Sequence, residues 1–296
     1  MNKIEKQKVI NCPVCNSKQL KILKKKDTSA WPCNIKKGNP DYAVFTLKKC
    51  ENCTFVFCSD PPFESGLTRY YENVKPESRT LITKAYKLLE FWLFSRRIRK
   101  YVKKGSEILD FGCGCGDLLR ILQKEGYKAA GIDYSIKNIL FAQKKYKLKR
   151  MYKTIEASNF LPEQFDAIVL RACLEHLIHP QKYLKKLTVL LKPKGYLFIT
   201  VPNMNSQDFK KLGFNWGMIC PPKHVNFFNK YSLALFLNKM GYKIIKITDS
   251  RIPSYTFPYN IHKSLSIPIK IIKLISVKFV PTKVQGSDLN IIAKKV

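Results

Sequence analysis

Short continuous apolar runs alternate with stretches of helical spacing through the middle and end of the chain. The runs Glu107 to Phe111, Lys128 to Ile132, Phe165 to Leu170, Lys243 to Thr248 and Leu289 to Lys294 are too short for helices, so they predict buried strands. Apolar residues at helical spacing over Leu81 to Val102, Asp117 to Glu125 and Lys230 to Met240 predict helices. Gly105-Ser106 and Gly126 break the pattern between elements. Near the N-terminus the run Tyr42 to Lys48 reads as a strand after a turn at Gly38-Asn39-Pro40. Residues 251–287 stand apart: an aromatic and proline-rich start leads into Ile267 to Val280, where Lys270, Lys273 and Lys278 rim an apolar stripe.

The first central strand runs directly into Gly112-Cys113-Gly114-Cys115-Gly116 and then a helix, the nucleotide-binding entry to an open α/β sheet. Asp133 ends the next strand about 17 residues beyond the last glycine, where a carboxylate can accept ribose hydroxyls. A dinucleotide fingerprint would need a third glycine at position 117, and Asp117 stands there instead. A carboxylate at a helix N-terminus repels phosphate, so a phosphate-free nucleoside fits better.

Composition changes this picture less than its size suggests. Lys and Arg number 54 against 21 Asp and Glu, a formal net charge of +33, which points first to nucleic acid or anionic membrane. The excess is mostly Lys and dispersed, whereas base and phosphate readers favour clustered Arg, so a nucleic-acid partner is the less favoured reading. Two local features remain: the basic stripe Arg96, Arg97, Arg99 and Lys100, and residues 265–280 as a lid, a dimer contact or a peripheral membrane contact. Neither a secretion signal nor a run of about 18 apolar residues is visible, so the expected location is cytoplasmic.

The ten cysteines then suggest metal ligation and reduced thiols rather than disulfides. Cys12 with Cys15, and Cys50 with Cys53, form two CxxC pairs separated by about 34 residues, a spacing that predicts a structural four-thiolate Zn²⁺ site. Cys33 and Cys58 read as buried thiols and Cys113 and Cys115 as small filler residues, while Cys173 could suggest C5-pyrimidine methylation but stands without a supporting motif.

The pattern Asp110-x-Gly112-x-Gly114-x-Gly116 resembles motif I of the class I S-adenosylmethionine-dependent methyltransferases. Later segments resemble that family in the right order: Leu174-Glu175-His176-Leu177 after the fourth strand, Leu190 to Gly195 with Lys194 in place of one glycine, and Pro222 to Phe228 before a helix and Gly241-Tyr242. With the CxxC pairs, Asp60-Pro61-Pro62 and Tyr70-Tyr71 ahead of the loop, the chain is similar to methyltransferases with an N-terminal zinc ribbon, often linked to sugar, surface-glycan or secondary-metabolite pathways. The resemblance implies a Rossmann-like, doubly wound, seven-stranded α/β sheet and S-adenosyl-L-methionine as cofactor. It implies cofactor contacts from Asp110, Gly112, Gly114, Gly116 and Asp133, and an Arg171 that could pair the cofactor carboxylate. Three regions are expected: a ribbon over 1–62, a helical linker over 63–104, and a methyltransferase domain over 105–296 with 251–287 inserted.

Methyl transfer to a hydroxyl needs a base, and neutral His suits pH 7. His224, expected in a loop on the substrate edge, and His176, after the fourth strand, are the catalytic candidates. His179, before Pro180, reads as a helix cap. Glu175, His176 and His179 are not expected to form a metal set, because helical neighbours at that spacing point apart. No acidic residue other than Glu156 offers itself to the adenine amine. The expected function is methyl transfer to a small-molecule acceptor, such as a sugar, surface-glycan or lipid-linked intermediate. The rivals are a methyltransferase on RNA or protein, and a non-enzymatic zinc-ribbon binding module.

Overall fold

A computed structural model describes residues 5–29, 43–66, 71, 81–249 and 287–296. The readings placed on Cys33, on Tyr70 and on residues 251–286, including 265–280 and the lysine-rimmed stripe, lie outside the described residues. Two sheets organise the rest.

The larger sheet has seven strands: β4 (Glu107–Phe111), β5 (Lys128–Ile132), β6 (Met151–Tyr152), β7 (Phe165–Arg171), β8 (Leu191–Pro202), β10 (Tyr242–Asp249) and β11 (Asp288–Lys295). Its order is β10-β11-β8-β7-β4-β5-β6. The five strands from β6 to β8 are parallel, while β11 runs antiparallel to both β8 and β10. This is the doubly wound sheet that the resemblance implied. Lys194 takes the left-handed backbone conformation, φ 59°, that a glycine would take in the turn of β8. The crossover helices are α2 (Asp117–Lys124), α3 (Ile136–Tyr146) and α4 (Pro180–Leu190), preceded by α1 (Leu81–Ile98).

Both faces of the sheet are apolar and covered. Leu109, Ile168, Leu170, Ile199 and Ile291 pack on one side, and Ile108, Ala129, Val169 and Phe198 on the other with Leu119 and Leu122 of α2. That accounts for the continuous apolar runs: a parallel sheet buried on both faces has no polar alternation. Chain connections reverse direction between β4 and β7, so the crevice beyond the carboxyl ends of these strands is the topological switch point, where ligands bind in open α/β sheets.

The smaller sheet contains β1 (Leu20–Asp27), β2 (Val44–Cys50), β3 (Val56–Cys58) and β9 (Asn226–Phe227), in that order and antiparallel throughout. Its fourth strand comes from beyond β8. Val56 pairs with Phe227 and Phe57 with Asn226, so a strand pair joins the N-terminal ribbon to the region after the fifth sheet strand. Phe55 packs on Phe228 at a centroid distance of 4.7 Å, and Phe228 leads to Phe236 of α6 (Lys230–Lys239) at 6.0 Å. The ribbon therefore shares a hydrophobic core with the large sheet.

Candidate functional site

The glycine loop closes on the turn after β5. Asp133 Oδ2 accepts the Gly114 N–H at 2.8 Å, and Oδ1 accepts Ser135 N–H at 3.0 Å and Asn138 Nδ2–H at 3.1 Å. Three of about four acceptor positions on this carboxylate are used, which leaves room for one further donor. Burial raises its pKa against the lowering effect of those hydrogen bonds. Gly112 and Gly114 differ. A Cβ on Gly112 would lie 2.7 Å from Cys173 Sγ, so that glycine permits close packing of loop on the β7 turn. A Cβ on Gly114 would meet nothing within 4 Å, and the loop faces open space there. Gly116 continues the loop into α2.

Asp110 lies buried at the end of β4. Burial pushes its carboxyl up to about 7, with the Arg171 guanidinium pulling down and Asp133 pushing up. Arg171 has Glu90 of α1 as its carboxylate partner and lies over the Phe91 ring at 4.6 Å. Asp117 accepts from Tyr146 Oη–H at 2.8 Å at the start of α2. An open glycine cradle flanked by carboxylates fits a cationic, phosphate-free cofactor and would repel a pyrophosphate.

Beyond β7 the chain turns sharply. Ala172 adopts φ 50°, a left-handed conformation costly for a residue with a Cβ, and residues Leu174–His176 form a single 3-10 turn. In this turn Glu175 and His176 come together with His224 rather than with His179. Glu175 Oε1 lies 4.0 Å from His176 Nε2, and His224 joins them with its ring 4.7 Å from that of His176. One ligating atom from each of the three falls within 4.8 Å of the others.

His224 departs from expectation: it is 5% exposed rather than free in an edge loop. The reason is its place one residue before Val225, whose carbonyl accepts Cys58 N–H at 2.8 Å and whose N–H donates to Glu175 O at 2.9 Å. Asn226 Nδ2 also donates to the Leu174 and Leu177 carbonyls. The ribbon sheet thus presses His224 onto the β7 turn. His179 occupies the N-cap of α4 without a side-chain capping bond, so it does not cap as the sequence suggested.

Electrostatics mark the cluster. Burial raises Glu175 to about 8 and lowers His176 to about 4; burial also lowers His224, helped by His176 and Lys223. Both imidazoles are therefore neutral at pH 7. Cys173, beside them, is held as a thiol by burial and nearby carboxylates.

The second convergence is the four cysteines. Cys12 Sγ lies 3.5 Å from Cys53 Sγ, Cys15 Sγ lies 3.4 Å from Cys50 Sγ, and all four sulfurs fall within 4.8 Å. A tetrahedral ion with Zn–S bonds of about 2.3 Å sets sulfurs roughly 3.8 Å apart, so the donor set fits Zn²⁺. Each pair sits on a matching knuckle: Asn16 N–H donates to Cys12 O and Thr54 N–H to Cys50 O, both at 2.9 Å, with Asn16 and Thr54 at φ 65° and 59°. Burial raises Cys12 to about 11. At Cys50 the burial effect is outweighed by the backbone N–H groups of Cys53 and Asn52 and the Cys15 thiol, which bring it to about 7. Zn²⁺ on Cys12, Cys15, Cys50 and Cys53 would close the ribbon. Cys58 is a buried thiol as expected, and Asp60, in the Asp-Pro-Pro-Phe run, accepts Thr46 N–H at 2.6 Å as a structural carboxylate.

A ubiquinone biosynthesis O-methyltransferase of Coxiella burnetii is 33% identical over 111 residues, 36% of this chain and 47% of that protein. The namesake from Bradyrhizobium diazoefficiens is 31% identical over 121 residues, covering 39% and 48%. The chain thus spans about half the length of the curated relatives it matches. The fold is similar to that of an S-adenosylmethionine dependent methyltransferase from Mesorhizobium loti, with a TM-score of 0.50 at 13% identity over 69% of this chain and 97% of that one. Among the described residues, no helix is long and apolar enough to cross a membrane. A profile described as a methyltransferase domain (Methyltransf_23) matches residues 86–247, more than half of the sequence, and the chain belongs to that family.

Proposed function

We propose that the protein transfers a methyl group from S-adenosyl-L-methionine to an oxygen of a small-molecule acceptor. The observation that carries this reading is the open Gly114 cradle at the switch point, held by Asp133 and flanked by the Asp110 carboxyl. When bound, the cofactor supplies a sulfonium-activated methyl group.

Asp133 accepts a ribose hydroxyl on its remaining lone pair, and the backbone at Gly114 admits the methionine portion, while Gly112 and Gly116, expected as cofactor contacts, pack the loop against Cys173 and Leu148. Asp110 meets the cationic amine; the buried carboxyl, poised near pH 7, is drawn to its charged form by that contact. In transfer, a lone pair of the acceptor oxygen forms the new C–O bond as the C–S bond breaks. The acceptor proton would leave to a base or water as the bonding pair stays with the departing sulfur. Alignment of these atoms is the main contribution of the protein and is worth roughly 7 to 11 kcal/mol in well-oriented systems.

Activation of the acceptor falls to Glu175, His176 and His224. Cys173, two residues before Glu175, touches Gly112, so the cluster adjoins the cofactor loop. His176 and His224, neutral at pH 7, have the protonation state such a role needs. The names of the curated relatives, O-methyltransferases of ubiquinone biosynthesis, support a small acceptor with a hydroxyl. The dispersed Lys surface supports no particular macromolecule.

The test is calorimetric titration of the full chain with S-adenosyl-L-methionine, followed by incubation with labelled cofactor and cell extract. Binding in the micromolar range and label in a small, nuclease- and protease-resistant fraction are expected. Label in RNA or protein would move the reading to a macromolecular acceptor, and absence of binding would sink it.

A further inference from the structure

We propose that Glu175, His176 and His224 form a binding site for a divalent transition-metal cation, separate from the four cysteines and of a different coordination type. The three side chains converge, one ligating atom of each lying within 4.8 Å of the others. His224 Nδ1 lies 2.8 Å from the Met218 carbonyl, and His176 Nδ1 lies 2.7 Å from the Lys223 carbonyl. A carbonyl oxygen only accepts, so Nδ1–H of each ring donates to it. Tyr71 Oη, 2.8 Å from His176 Nδ1, is consistent with that tautomer: its oxygen shares the Nδ1–H and its own proton faces Lys223 O at 3.5 Å. His224 Nε2 then carries a lone pair, while the His176 ring also bonds the Ala172 carbonyl. A ring oriented by a second-nitrogen bond to a main-chain carbonyl is the usual state of a metal-ligating histidine.

Glu175 completes the argument. The residue is 1% exposed, and neither carboxylate oxygen has a hydrogen-bond partner. The ammonium of Lys223 and the guanidinium of Arg171 act on it electrostatically, but neither donates a hydrogen bond. A buried carboxyl that finds no hydrogen-bond partner beside two imidazoles is unfavourable, and a single cation would ligate all three groups. The positioning is rigid: Val225 N–H fixes the Glu175 main chain, and left-handed Ala172 sets the turn that aims both side chains inward.

The donor set names the class of ion. Two imidazole nitrogens and a carboxylate select zinc or another first-row divalent metal, and three protein ligands leave a position open, in contrast to a closed four-thiolate site. One consequence rests on the methyltransferase reading. An acceptor oxygen in the open position would lose its proton more easily, with His176 and His224 acting as ligands rather than as bases.

Metal content of the full chain, after exposure to Zn²⁺ and desalting, tests the site. Two equivalents per chain are expected for the unaltered protein and one for Glu175→Gln and for His224→Gln. Co²⁺ added to protein carrying a single equivalent of Zn²⁺, which fills the four-thiolate site first, should give weak d–d absorption without thiolate charge transfer, and Glu175→Gln should remove it. One equivalent in the unaltered protein, with no cobalt band, would overturn the proposal and assign the cluster a shared proton between Glu175 and His176. This readout needs no variant to fold. It is also independent of the cofactor: two equivalents without S-adenosyl-L-methionine binding would sink the methyltransferase reading alone, and cofactor binding with one equivalent would sink the metal site alone.

Discussion

The four-cysteine cluster and the Glu175, His176 and His224 cluster are both buried gatherings of ligating groups, yet they are built in opposite ways. Each cysteine pair is delivered by one knuckle whose turn is complete within five residues. The second cluster has no such local unit. His224 reaches Glu175 and His176 because β9 docks on β3 of the ribbon while the neighbouring Val225 bonds to the β7 turn. Convergence of the first kind depends on local turn chemistry. That of the second kind depends on two sheets meeting, so the ribbon is a positioning element for the second cluster as well as a closed site of its own.

The largest effect should come from breaking the ribbon. Replacing Cys50 and Cys53 by Ser removes two of the four thiolates on which a Zn²⁺ ion would contribute on the order of 10 to 16 kcal/mol of apparent binding energy, and β1 to β3 should lose hydrogen-exchange protection. If the clusters are coupled as described, residues 222–228 lose protection too. Persistence of that protection would show them to be independent.

Phe228 lies at the seam, between Phe55 of the ribbon and Phe236 of α6. Phe228→Ala should cost about 3 to 5 kcal/mol in a thermal or urea melt. A cost below about 1 kcal/mol would mean that the seam contributes little to stability.

A smaller change is expected in the cofactor loop, which the ribbon does not touch through any strand pair described here. Asp133→Ala leaves the Gly114 and Ser135 N–H groups without their acceptor, a loss of about 1 to 3 kcal/mol. Calorimetry should show roughly ten- to hundredfold weaker S-adenosyl-L-methionine binding, with any metal that the unaltered protein carries on the four cysteines retained. Loss of that metal would contradict the separation.

The mildest perturbation is pH. Asp288 is buried, and burial, with Glu90 adding and Arg171 opposing, raises its carboxyl to about 8. A carboxyl raised above its unfolded value of about 3.9 contributes stability that is full below that value and lost as pH rises through 8. Asp110, raised to about 7, acts in the same direction. The urea midpoint should therefore fall between pH 5 and pH 8, and Asp288→Asn should flatten the decline. An unchanged slope in that variant would remove Asp288 from the account.

Strand positions in the large sheet were legible because apolar runs buried on both faces leave a direct mark, as at β4, β5, β7 and β11, whereas β10, expected as a buried strand, falls in the expected place but is a largely half-buried or exposed edge strand. The glycine loop and Asp133 were legible for a related reason: loop and acceptor belong to successive elements of one βαβ unit, and Asp133 bonds Gly114 directly. His179 was misread because a residue at the cap position need not turn its side chain to the helix. Arg171 was matched to a cofactor carboxylate, while Glu90, far away in sequence, holds it.

By itself, the sequence determined what local patterns encode: the alternation of strands and helices, the phosphate-excluding glycine turn with Asp117 behind it, and two cysteine knuckles of equal design. Tertiary structure alone decided that the ribbon takes its fourth strand from beyond β8 and that His224 is buried against Glu175 and His176. Periodicity and spacing report neighbours within a turn or two of the chain. Which distant side chains share one dry volume is settled by how sheets pack, and Cys58 and Val225, far apart in the chain, become neighbours only in the fold.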